Sequence, residues 1–84
     1  MKLTLLVRDY CHLCDDMRAD LQLLLAASRA TVELVDVDDD PVLEARWGDK
    51  VPVLLAGEQE LCHHRLDRAA LAQWLARTAA PASR

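Results

Sequence analysis

The residues of this chain best suited to chemistry are two thiols three positions apart, in Cys11-His12-Leu13-Cys14. The same spacing serves zinc sites, iron–sulfur clusters and redox disulfides. A zinc site needs three or four ligands, and the further candidates are Cys62, His63 and His64, far along the chain. A redox pair needs one thiol to exist as thiolate, the species that attacks a disulfide, and the start of a helix favours that form because its unpaired N–H groups face the sulfur. The spacing by itself leaves metal binding, redox cycling and an inert pair open.

The flanking residues predict what positions the pair. Lys2 to Val7 is a continuous, mostly apolar run of strand length, the pattern of a strand covered on both faces in the middle of a sheet. After the exit loop Arg8-Asp9-Tyr10, Met17, Leu21, Leu24, Leu25 and Ser28 recur at helical spacing and predict a helix from about residue 12 to 28. Thr31 to Val37 is β-branched and imperfectly alternating, as suits a strand near a sheet edge, and strand, helix, strand implies a right-handed parallel unit.

Within Asp38-Asp39-Asp40, a run that reads as a solvated and capped turn, Asp40-Pro41 opens a short helix to Trp47 that closes at Gly48. Val51 to Ala56 reads as a strand with Pro52 near its start, Gly57-Glu58 as a turn, and Gln59 to His63 as an antiparallel return. Asp67 caps a last helix, with Leu66 packing on Leu71, and Trp74, Leu75 and Thr78 continuing that face. Trp47 and Trp74 read as packing anchors, and Cys62 as a small buried hydrophobe. The expected domain is residues 1–78, followed by a frayed tail, 79–84.

Composition narrows the function classes. Ten basic and fourteen acidic residues among 84 give a net charge of −4, with one Tyr and no Phe, so no phosphate-binding surface or base-stacking platform for nucleic acid is suggested. No apolar run approaches the ~20 residues of a membrane span, and the start of the chain reads as a strand rather than a leader, so the expected location is the cytoplasm. Three cysteines do not make a secreted disulfide framework. A thin core for one small domain remains, and a monomer is expected.

The order β-α-β-α-β-β-α, with Cys11-His12-Leu13-Cys14 at the first strand-to-helix junction and Val51-Pro52 opening the third strand, resembles the glutaredoxin-like family. The likeness is greatest to its small bacterial members of undefined function. It implies a minimal thioredoxin fold, a four-stranded mixed sheet flanked by three helices. It also implies a cis proline at Pro52 facing Cys11, and backbone groups of Val51 offered to an extended substrate.

By the same resemblance, Arg8 matches the basic residue that holds a glutathione carboxylate. The Gly-Gly expected after the fourth strand is replaced by His63-His64-Arg65, with Asp67 following, and Pro-Tyr between the cysteines is replaced by His12-Leu13. Tyr10 is either a substrate platform or a cover for the helix start. His63 and His64 read as solvated loop residues or as contacts to glutathione or substrate. Asp67 is a further candidate for that contact besides its cap role, and His12 is a candidate substrate contact with Arg8, Tyr10, Val51 and Pro52.

The expected activity is thiol–disulfide exchange, with Cys11 attacking and Cys14 resolving, on a protein or small-molecule disulfide. Glutathione or a donor of the thioredoxin-reductase type returns the electrons, and no bound cofactor or metal is expected. The alternatives are a metal- or iron–sulfur-binding module and a redox-regulated interaction domain. Against the former, Pro52 is expected beside Cys11, where it blocks a coordination position.

Overall fold

The structure is a computed structural model and describes residues 1–78; the tail expected at 79–84 lies outside the described residues. The first apolar run forms β1 (Lys2–Val7). It is followed by α1 (His12–Leu24), β2 (Thr31–Asp36), a 3₁₀ turn (Val37–Asp39), α2 (Pro41–Trp47), a second 3₁₀ turn (Gly48–Lys50), β3 (Val53–Ala56), β4 (Gln59–His63) and α3 (Arg68–Thr78). The sheet order is β2-β1-β3-β4, with β2 parallel to β1 and the other two pairings antiparallel. This is the thioredoxin-like arrangement, with β1 central and β2 at an edge.

Alternation along β1 explains why its run is apolar throughout, since successive side chains point to opposite faces. Leu3 and Leu5 join Leu54 of β3, Met17 and Leu21 of α1, and Leu71 and Trp74 of α3 in one core cluster. Leu6 joins Val53 and Leu55 of β3, Val37 and Trp47 in the other. The two tryptophans anchor opposite faces, and Arg46 and Lys50 lie over the Trp47 ring at 4.8 and 5.5 Å.

Several boundaries differ from the sequence expectation for identifiable reasons. The first helix ends at Leu24 rather than near residue 28. Thr31 N–H donates to the Met1 carbonyl (2.9 Å) and β2 must start beside Lys2, so the chain turns back early. Ser28, expected on the helix face, instead accepts the Ala30 N–H in that turn (2.9 Å). Val37 leaves the strand to open a 3₁₀ turn, which Asp36 caps by accepting the Asp38 N–H (2.8 Å), and its side chain is fully buried. Ladder pairing in β3 begins at Val53, because Pro52 has no N–H to give.

Helix caps fall where the sequence placed them. Asp40 accepts the Val42 N–H (2.9 Å) before Pro41–Trp47, and Asp67 accepts the Ala70 N–H (2.9 Å) before α3. In the hairpin, Gly57 has a φ of 64°, a left-handed conformation that a side chain would strain. The pairing Leu54 with Cys62 and Leu55 with Glu60 leaves Leu61 as a bulge, and Leu61 and Cys62 consequently both pack on the first core cluster.

Met17 is 1% exposed at the contact of α1 with the sheet. Met17→Ala is expected to cost about 2–5 kcal/mol, a large part of the total for a domain of this size, whereas Gln22→Ala on the outer face is expected to cost no more than about 0.5 kcal/mol. Urea denaturation midpoints check both.

Candidate active site

β1 delivers the chain to the loop Arg8–Tyr10, and Cys11 is the N-cap of α1, with extended backbone (φ −114°, ψ 104°). Its Sγ accepts the Cys14 N–H at 3.1 Å. Cys11 and Cys14 form a disulfide, their Cα atoms 5.2 Å apart. Cys11 is partly exposed, whereas Cys14, one turn on, is 3% exposed and faces the core. When the pair is reduced, the helix N-terminus and the Cys14 N–H favour a thiolate on Cys11, while the exposed carboxylates Asp15 and Asp16 oppose it.

Arg8 lines a cleft together with Cys14, and its guanidinium is engaged by groups of its own chain. Its Nε and Nη2 donate to Asp38 (3.0–3.3 Å), Nη2 also to Glu44 (3.0 Å), and Nη1 to the Gly48 carbonyl (3.2 Å). The hydrogen bonds to Asp38 and then Glu44 raise its pKa above the ordinary guanidinium value. The residue expected to meet a glutathione carboxylate therefore already holds two carboxylates of its own chain. Gly48 serves this cluster: its backbone is ordinary right-handed helix (φ −55°), and a Cβ there would collide with the Glu44 carboxylate. Asp38, Glu44 and Gly48 carry no local sequence signal for this role, because their partner Arg8 lies thirty or more residues away.

The other site residues gather at the same end of the sheet. Val53 pairs with Leu6, so Pro52 lies beside the end of β1; the Val51–Pro52 bond is cis, and the Pro52 carbonyl accepts the His64 N–H (2.8 Å). His64 has a φ of 64°, and its Nε2–H donates to the Asp49 carbonyl (2.9 Å). His63 is exposed and pairs through Nδ1 with Glu60. His12 is exposed in the first turn of α1. Tyr10, also left-handed (φ 59°), is fully exposed at 104%, so it does not cover the helix start.

Two clefts border the first turns of α1. One, of about 290 Å³, runs between Leu13, Asp16 and Asp20 of α1 and His64, Arg65 and Leu66. The other, of about 170 Å³, is lined by Asp9, Tyr10, Cys14, Asp15 and Arg18 among others. Asp67 caps α3 and lies near Cys62 rather than in either cleft. Burial pushes the Cys62 thiol up, against a hydrogen bond from the Asp67 backbone. Among the described residues no three side chains of His, Cys, Asp or Glu are grouped so as to hold a metal ion.

Two outcomes are expected from this geometry. Tyr10→Gly removes the steric cost of a left-handed tyrosine and is expected to stabilise the fold by up to about 1 kcal/mol, read from the denaturation midpoint. Because the Cys62 pKa is raised, the folded chain keeps a proton that the unfolded chain releases; this contribution is complete below the ordinary thiol range and is lost as pH rises through it. Between about pH 8 and pH 10, Cys62→Ser is therefore expected to lose less stability than the parent.

The chain matches the model of the glutaredoxin-like domain (DUF836) over residues 2–76. It is similar to the solution structure of protein Ne2328 from Nitrosomonas europaea (36% identity, 87% of this chain and 88% of that one, TM-score 0.79). It is also similar to the crystal structure of XcR50 from X. campestris (39% identity, 94% and 99%, TM-score 0.67). A malarial protein at 17% identity, with 90% and 93% covered and a TM-score of 0.60, shares the fold. No protein of curated function matches the chain. With the family model spanning nearly the whole described fold and the cysteine pair at the first strand-to-helix junction, the chain belongs to the glutaredoxin-like domain family.

Proposed function

We propose that the protein is a thiol–disulfide oxidoreductase in which Cys11 is the nucleophile and Cys14 the resolving thiol. The observation that carries this reading is the asymmetry of the pair, with Cys11 partly exposed at the helix N-cap and Cys14 buried behind it. The Cys11 thiolate attacks one sulfur of a substrate disulfide; the S–S bond breaks, a mixed disulfide forms, and the departing thiolate takes a proton. Cys14 then gives up its proton and attacks Cys11 Sγ, releasing the second substrate thiol and leaving Cys11–Cys14 oxidised. The substrate gains two electrons and two protons, and a thiol donor, glutathione or a dithiol of the thioredoxin-reductase type, returns them to the protein.

Val51 and Pro52, just before β3 and beside the end of β1, belong to the surface on which an extended substrate lies, and Tyr10 and His12 flank the attacking sulfur. His63 and His64 border it on the β4 side. Arg8 is assigned to holding the loop through Asp38 and Glu44 rather than to binding substrate. Asp67 is assigned to capping α3. The proposed setting is a reducing compartment such as the cytoplasm; no helix among the described residues is long and apolar enough to cross a membrane.

Cys11→Ser is expected to reduce the turnover of bis(2-hydroxyethyl) disulfide to background, and Cys14→Ser to stop at a mixed disulfide visible as a mass adduct on Cys11. A Cys11→Ser protein working at the parent rate overturns the assignment.

A further inference from the structure

We propose that this redox site selects disulfides that carry positive charge, in particular protein or peptide disulfides flanked by lysine or arginine, over anionic disulfides. The inference rests on the oxidoreductase reading and names its substrate class. Three exposed carboxylates, Asp9, Asp15 and Asp16, lie on the loop and first helical turns that carry the cysteines. Arg8, next to Asp9 in the chain, is balanced by Asp38 and Glu44, so that cluster adds negative rather than positive charge. Arg18 and Arg65 face the two clefts, and Asp20 on the same helix is paired with Arg68 at 3.7 Å. His12 is at the helix tip, and the Nε2 of His64 is engaged by the Asp49 carbonyl.

On the loop, the first turns of α1 and the cleft walls, the three carboxylates Asp9, Asp15 and Asp16 thus outnumber the two cations Arg18 and Arg65, and the attacking group is itself an anion. A disulfide bearing carboxylates approaches against this field, whereas one bearing ammonium or guanidinium groups approaches with it. The exposed ring of Tyr10, next to Cys11, adds a face on which a cation rests favourably. The chemical step is unchanged: the pre-reduced dithiol supplies both electrons, the disulfide accepts them, and the two substrate thiols leave protonated.

The test measures single-turnover oxidation of the dithiothreitol-reduced, full-length protein by three disulfides of similar size. These are cystamine (cationic), bis(2-hydroxyethyl) disulfide (neutral) and 3,3′-dithiodipropionate (anionic), each rate being divided by that of dithiothreitol with the same compound. At low salt the cationic compound is expected to exceed the anionic one by about tenfold or more, and the ratio to fall toward one at about 1 M salt.

Asp15→Asn/Asp16→Asn is expected to lower the ratio by about two- to fivefold per carboxylate. Glu33→Gln/Glu58→Gln, a matched charge change away from the cysteine end of the sheet, is expected to leave it unchanged. Changes in thiolate population affect all three compounds alike and cancel in the ratio. Disulfide-linked peptides with Lys or Glu beside the cystine are expected to follow the same order.

Equal normalised rates for the three compounds overturn the selection while leaving the oxidoreductase reading intact. Failure to react with the neutral compound overturns that reading itself. Peptides that ignore flanking charge overturn the peptide assignment.

Discussion

The whole structure depends on the burial of β1 from both sides. Leu3 and Leu5 anchor the core under α1 and α3, and Leu6 anchors the core under α2, so one strand of six residues is shared by both hydrophobic clusters. In a chain this short neither cluster is large, and each relies on the strand that the other also holds. β2 and β3 pair on either side of it, which leaves its C-terminal end as the common exit point for the loop, the start of β3 and the end of β4. The cysteine pair is positioned because β1 is.

Around that exit point two sets of charges do different things. Asp38 and Glu44 draw Arg8 toward the second 3₁₀ turn, tying the β1 exit to α2 across a glycine that leaves room for the carboxylate. Asp9, Asp15 and Asp16 face solvent beside the sulfur. Carboxylates in a first helical turn favour the helix, since they meet its positive end, yet they oppose a thiolate at the same end. Helix stability and thiolate stability are therefore set against each other at Cys11, and the Cys14 N–H is the group that acts on the sulfur directly. Cys62 shows the contrast: it lacks a helix end, packs on the core and keeps its proton.

Much of this was legible from residue order. The two-sided pattern of Lys2–Val7, the edge character of the second strand, the caps at Asp40 and Asp67, and the Cys-x-x-Cys at a strand-to-helix junction all depend on neighbours within a turn or two. Helix α1 was the largest departure: its helical spacing continues through Leu25 and Ser28, but the backbone stops following it at Leu24. Periodicity reports which face is buried. It does not report that β2 must begin beside Lys2 and that the chain needs the intervening residues to return there.

The sequence by itself determined the strand–helix order, the apolar faces and the presence of a thiol at a helix start, because those follow from backbone preference and side-chain spacing over short distances. Only the tertiary structure decided that Arg8 meets Asp38 and Glu44, and that His64-Arg65-Leu66 form the far wall of a cleft whose near wall is α1 from Leu13 to Asp20. It also decided that Leu61 bulges out of register, so that Leu61 packs on the same core cluster as Cys62. Each of these joins residues far apart in the chain, and such pairings are selected by strand register and core packing, which no local pattern encodes.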